Sequence, residues 1–455
     1  MRRKTLILLF FASIISVLQA AETVYRTTVF QPEAIKTLRV RYIDAETKEP
    51  IAGDPIRPFL IMDGGQRIGT EGDKNQHLLE ISFDELSHEV HQYTYSIAHL
   101  NADYSESDLN SLEYVDGFTT QDIRQYEHSL NTSQLYTHYS FTFPNEDLQI
   151  KVSGHYVLKI YEDGDTDKSV AWVCFTVVDP RVAIQTNIRP NTDIELNGRY
   201  QQLDIDVDFS SRNRQVARGE DFFIVVKQNG RSDNQVVAPK PTYIESNKLR
   251  YVNCKALIFE GGNEYRHFDI YSNYFAGTGV DRIVHDRNDY HAFLFFDDLR
   301  GVGARFAGET VTDKCGTPYI HEFDVDGQYV INAERTLYDI ETESEYMWVH
   351  WTLPAEQPWF DGLVYVGGDL FENRMTPRNR MQYDNERRCY WLTALIKQGG
   401  YDYQYWLVPK GEQKATLQRT EGSHWQTENE YTIYVYYKPF SSRYDQLVGL
   451  LVIKS

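Results

Sequence analysis

At 455 residues the chain has room for two to four domains, and an apolar content of 41% can build their cores. Its formal net charge of −20 argues against nucleic acid and anionic lipid as partners and leaves protein as the natural one. Aromatic residues reach 14%, with 33 tyrosines and 23 phenylalanines, a composition suited to strands and interfaces rather than helices.

The chain opens with Arg2, Arg3 and Lys4, an apolar run from Leu6 to Leu18 broken only by Ser13 and Ser16, and then Ala20 and Ala21. That order reads as a cleavable signal peptide over 1–20, with the mature chain starting near Ala21 or Glu22. The run is short of the roughly 20 apolar residues a spanning helix needs. No Cys follows it to anchor a lipid, so an exported protein without direct membrane insertion is expected.

Alternation of period two then recurs. A first domain is expected over 21–180, where Tyr156, Leu158 and Ile160 alternate after Gly154 and the Val177-Val178-Asp179-Pro180 stretch closes the unit. Its best helical candidate, Leu109 to Leu130, is broken by Gly117. A second β-rich domain is expected over 181–342. There Leu203, Ile205, Val207 and Phe209 alternate with Asp204, Asp206 and Asp208, and Asn229-Gly230 between Phe222–Lys227 and Gln235–Val237 is a hairpin cue. A third domain, 343–455, opens with Tyr346–Leu353 and carries the alternating runs Tyr401 to Leu407 and Tyr431 to Tyr437. Turn signals at Asp63-Gly64-Gly65, Asp163-Gly164, Gly261-Gly262-Asn263 and Asp326-Gly327 punctuate the strands. The expected fold class is all-β, as tandem β-sandwich (Ig-like or early-set-like) domains.

Catalytic signatures are missing. The sequence holds no Gly-x-Ser-x-Gly elbow, no His-Glu-x-x-His pair and no phosphate-binding Gly-x-x-x-x-Gly-Lys. His99, His138, His321 and His350 sit beside aromatics in strand-like contexts and read as structural. Asp163, Asp165 and Asp167 resemble the start of a calcium loop, but Lys168 and Cys174 fall where such a loop needs Gly and Glu, so an acidic turn is expected. Trp348 and Trp351 should face opposite sides of one strand, and Trp391 and Trp406 should lie on facing strands. Cys174, Cys254, Cys315 and Cys389 have no Cys-x-x-Cys spacing. They read as small hydrophobes, with Cys254–Cys315 the one plausible bridge. No catalytic, cofactor-binding or metal-binding residue is assigned, no cofactor is expected, and the partner-binding residues are unknown.

An ordered set of short pieces carries a resemblance. In the first domain these are Tyr93-x-Tyr95-x-Ile97-x-His99-x-Asn101-Ala102-Asp103, Glu113-Tyr114, Gly117-Phe118, Asn131-Thr132, Tyr136-Thr137-His138-Tyr139, Phe143-Pro144-Asn145 and Ser153-Gly154-His155-Tyr156. Further on come Gly261 to Arg266, Phe268-Asp269, Leu395 to Tyr401, Asn429-Glu430-Tyr431 and Arg443-Tyr444-Asp445. Together they resemble the plug protein of the bacterial type IX secretion system of Bacteroidota. The resemblance implies a non-enzymatic periplasmic protein, held to the outer membrane through a protein partner. That partner is the giant translocon barrel, whose periplasmic end the plug caps when no cargo is present. The last domain, with Gly367-Gly368-Asp369 and then Leu392–Tyr405, also resembles early-set carbohydrate-binding modules. A periplasmic or surface carbohydrate-binding protein is therefore the alternative reading.

Overall fold

The computed structural model describes residues 25–31, 33–44, 59–62, 77–210, 218–306, 308–319 and 324–455. The signal-peptide segment, the Asp63-Gly64-Gly65 turn and His321 lie outside the described residues. Strands take 48% of the described residues and helix 4%. The α-helices among the described residues, Ser111–Tyr114 and Ile340–Glu343, are single turns, and none is long and apolar enough to cross a membrane. The helical reading of 109–130 is overturned: after that one turn the segment forms the strands Val115–Gly117, Thr120–Ile123 and Gln125–His128. Gly117 is the reason. It sits at φ +109°, and a Cβ there would lie 2.0 Å from the Asp147 carbonyl oxygen.

Three sandwiches follow from the alternating pattern, each with its own core. In the first, Tyr93–Leu100, Gly154–Glu162 and Ser169–Val178 form the centre of one sheet. Lys36–Asp44, His77–Glu85, Thr137–Phe143 and Gln125–His128 form the other. Leu79, Ile81 and Phe83 meet Ile97, Tyr156, Leu158 and Ile160 between them. In the middle sandwich Leu203, Ile205 and Val207 are fully buried, while Asp204, Asp206 and Asp208 face out to Arg189, Arg250 and Lys248. The last sandwich stacks the sheet holding Asp289–Leu294, Tyr346–Pro354 and Cys389–Lys397 on the long strand Gly399–Pro409 and its neighbours.

The sheets do not respect the expected division at 342/343. Glu430–Tyr437 pairs along its whole length with Phe222–Gln228, from Phe222↔Tyr437 to Gln228↔Tyr431, and Gln446–Lys454 pairs with it in turn. The chain's final strands therefore complete the middle sandwich. Arg266–Asp269, Val280–Asp286 and Asp289–Leu294, expected in the second domain, belong to the last sandwich. The last sandwich is thus an insertion within the middle one. Alternation specifies which face of a strand is buried but not which strand lies beside it, so the nesting was invisible.

Local readings resolve as follows. Asn229 and Gly230 both adopt positive φ, 49° and 63°, in the connection that returns Val236–Val237 onto Phe222–Gln228. Asp163 and Gly164 form a hairpin turn between Gly154–Glu162 and Ser169–Val178. Trp351 is buried in the core and Trp348 stands on the opposite face of its strand. Trp406 turns away from that core, under the Arg231 guanidinium at 4.3 Å. All four cysteines are free thiols, so the Cys254–Cys315 bridge is not formed. Cys254 caps a turn of the middle sandwich with its Sγ near the Lys240 carbonyl, while Cys315 sits in a separate loop against Asp313.

Candidate functional site: a docking face beside buried seams

Several of the motif residues stand where the sandwiches meet. At the seam between the first and last sandwiches, Asp84 is fully buried and receives Lys397 Nζ at 2.6 Å, Tyr346 Oη at 2.7 Å and His138 Nδ1 at 2.6 Å. Lys397 also donates to the Glu341 carbonyl at 2.6 Å and lies 4.3 Å from the centre of the Tyr136 ring. Arg39 and Arg41 both pair with the Glu341 carboxylate. Burial works against the charge on Asp84 and Glu341, yet Lys397 beside the first and Arg39 beside the second hold both carboxyls below the usual range.

At the seam between the first and middle sandwiches, His155 Nε2 meets Tyr436 Oη at 2.5 Å, and the Ala102 amide donates to Asp445 at 3.0 Å. Ala102, Val178, Val225, Tyr434, Tyr436 and Leu447 pack there as an apolar cluster. His99 stands just behind, between Ser107 Oγ at 2.9 Å and the Ser153 carbonyl at 3.2 Å. Gly154 lies at φ +150°, and a Cβ there would meet the His99 ring at 2.3 Å, so the position admits only glycine. The third seam, between the middle and last sandwiches, uses Asp233 on the Ala415 amide at 2.9 Å and Glu260 on Gln418 Nε2 at 2.8 Å, while Arg266 ties Glu421 to Asp297 inside the last sandwich. His350, with His291 at 3.0 Å and Thr393 at 2.9 Å, lies instead on the outer face of the last sandwich. These contacts give every described candidate His a hydrogen-bond partner.

A surface feature lies at one end of the first–last seam. Three loops there carry large apolar side chains into solvent: Leu130 and Leu135, Tyr274 and Phe275, Leu337 and Tyr338. Tyr338 is 81% exposed and Phe275 63%. Each loop is held from below. The buried Glu343 carboxylate accepts the backbone N–H groups of Leu337 and, at 3.0 Å, Tyr338. The buried Glu345 carboxylate accepts those of Ser133 and, at 3.1 Å, Gln134. Ser272 Oγ accepts those of Tyr274 and Phe275, both at 3.3 Å. The loops are tied to one another as well: Leu130 N–H donates to the Thr342 carbonyl at 2.9 Å, and Glu334 N–H to the Tyr271 carbonyl at 2.8 Å. Tyr290 meets Tyr274 edge-on with ring centres 6.3 Å apart. Apolar groups exposed together on a fixed backbone mark an interaction surface, since little ordering cost remains when a partner arrives.

Sequence reasoning left the partner-binding residues unassigned. The available signal was the apolar doublets Tyr274-Phe275 and Leu337-Tyr338, standing outside any alternating run. Among the described residues no group of three or more His, Cys, Asp or Glu side chains is placed to hold a metal ion.

Residues 71–179 match the family described as the type 9 secretion system plug protein 1st domain. Comparison with curated proteins gives no match. Among solved structures the chain is similar to the crystal structure of a hypothetical protein from Parabacteroides merdae ATCC 43184. The two are 33% identical with a TM-score of 0.83, over 95% of this chain and 100% of that one. With the plug motifs distributed over its seams and the first plug domain matched in its first sandwich, the chain belongs to the type IX secretion system plug protein family.

Proposed function

We propose that this protein is a non-enzymatic plug that caps the periplasmic end of the giant outer-membrane translocon barrel of type IX secretion when no cargo occupies it. The observation that carries the reading, on a chain of this family, is the face of Leu130, Leu135, Tyr274, Phe275, Leu337 and Tyr338 on braced loops. A wide barrel leaves an aqueous channel, and closing it calls for a stiff body with a preformed contact surface and no chemistry. The buried polar seams supply the stiffness. The net charge of −20 disfavours docking on phosphate-bearing lipid, so attachment runs through protein in the periplasm.

Co-purification with the tagged barrel, paired with a deletion strain challenged with bulky antibiotics, tests this. Retention of the barrel, and a leak to large solutes with cargo export still possible, are expected. Normal permeability with the translocon idle and intact would end the plug reading. Lost secretion without a leak would point to assembly or cargo delivery.

A second reading has one observation behind it. The open face of the last sandwich carries half-buried His350, Phe293 and Trp391 in neighbouring strands, a surface on which sugar rings could stack. Specific retention on a glycan array would favour it.

A further inference from the structure

Beside the charged seam, the first and last sandwiches enclose a cleft of about 270 Å³ that the capping role does not use. Its walls are apolar: Phe30 and Leu38 from the first sandwich, Trp348, Leu370 and Leu395 from the last. Three cations border it: Lys397, which is paired with Asp84, and Lys36 and Arg378 from opposite sides of the seam. Arg378 lies over the Phe30 ring at 4.6 Å and uses one guanidinium nitrogen, Nη1, on both oxygens of Glu372, at 3.1 and 3.2 Å. Its other nitrogens bond to nothing among the described residues. No carboxylate among the described residues stands within ion-pair distance of Lys36. The acidic groups of the cleft are engaged: Glu372 by Arg378, and Asp369 by Asn373 Nδ2 at 3.4 Å. Lys36 therefore stands at one end of an apolar slot as an ammonium without an ion-pair partner among the described residues.

Sites for small molecules have this form: concave, mostly apolar, between domains, with a few convergent polar groups. We propose that the cleft binds a small organic carboxylate with an apolar body, its carboxylate between Lys36 and Arg378 and its chain along Trp348, Leu370 and Leu395. A ligand so placed touches both sandwiches and tightens the seam. The site stands whether or not the chain caps a barrel.

Titration calorimetry of the full chain with sodium octanoate tests it, with octanamide as the neutral counterpart. Saturable octanoate binding is expected, at least tenfold tighter than that of octanamide. Lys36→Gln should weaken it at least tenfold, and Leu370→Trp, which fills the slot, should abolish it. Thermal unfolding of the unmodified chain should shift upward with octanoate and not with octanamide. Equal responses to the two compounds, no saturable octanoate signal, or full binding by both variants overturns the proposal. The acid-against-amide contrast needs no variant and holds even if Leu370→Trp folds poorly.

Discussion

The first sandwich is joined to its two neighbours by different physics. Toward the last sandwich the seam is ionic and largely buried, built on Asp84, Lys397, Arg39 and Glu341. Toward the middle sandwich it is mostly apolar, with the neutral His155–Tyr436 pair at its centre. An apolar seam adheres over its area and tolerates small shifts. A buried ionic seam holds one register, because each charge is costly unless its partner stands in place. The contrast is sharpest when one charge is removed. Lys397→Met leaves Asp84 with its other bonds but no cation, and should cost about 3–5 kcal/mol, read as a lowered denaturant midpoint. Pairing it with Asp84→Leu should recover most of that loss. A loss in the double variant equal to the sum of the two single losses would mean that the two charges are not coupled.

Acid should open the two seams in order. Burial, with Lys227 adding to it, holds His155 neutral far below the ordinary histidine value. His99 is held at about 4 by burial, against the upward pull of the Ser153 carbonyl and Asp445. Both folded values lie below the unfolded value of about 6.5. The stability these groups contribute is thus complete above that pH and lost as pH falls from about 6.5 toward 4. For His99 alone the loss is about 3 kcal/mol. Asp84 and Glu341 are also depressed, so their contribution is intact above about 4, the unfolded carboxylate value, and fails only below it. Protection factors for hydrogen exchange, taken against the intrinsic rate at each pH between 7 and 4, should therefore fall first at the Asn101, Ala102 and Leu447 amides, with those of 341–346 still protected. The reverse order would contradict the assignment of neutral histidines to one seam and ion pairs to the other. A smaller effect on the same side comes from Tyr436→Phe. It leaves His155 Nε2 without its partner and should cost about 1–2 kcal/mol, measured by unfolding at pH 7.

The same contrast explains what could be read from the sequence. Leu203 to Phe209 and Tyr401 to Leu407 announce strands because their inner and outer faces differ residue by residue. Glu341-Thr342-Glu343-Ser344-Glu345 has the look of a solvated acidic stretch, yet all five residues are buried, their carboxylates holding arginines and backbone N–H groups. Nothing local to that stretch names its distant partners, Arg39 and Ser133, the first of which lies 302 positions from Glu341. Asp84 and Lys397 are likewise ordinary polar residues until two sandwiches meet on them. The motif pieces around Tyr136, His155 and Gly262 could be recognised as a set. Their common property, contact between sandwiches, became visible only in three dimensions. The docking face escaped for a simpler reason: an exposed Tyr-Phe or Leu-Tyr doublet in a loop has the composition of a buried one.

The docking face gives the smallest effect on stability and the strongest separation of stability from function. Phe275 and Tyr338 are mostly exposed, and their loops are held by backbone bonds to Ser272 and Glu343 that a side-chain change leaves in place. Phe275→Ser combined with Tyr338→Ser should leave the unfolding midpoint within about 0.5 kcal/mol of the parent, as exposed substitutions do. Retention by the tagged barrel should nevertheless fall steeply, because a few aromatic anchors carry most of the energy of an interface. Glu343→Gln makes the complementary change. It keeps every apolar tip but replaces the charged acceptor of the Leu337 and Tyr338 amides with a neutral one. If contact depends on preformed loops, this variant should also bind less well, through slower association as the loop must order on arrival. If it binds at the parent rate while the double serine variant does not, the side chains matter and the bracing does not. If both variants retain the barrel fully, the docking contact lies elsewhere on the molecule.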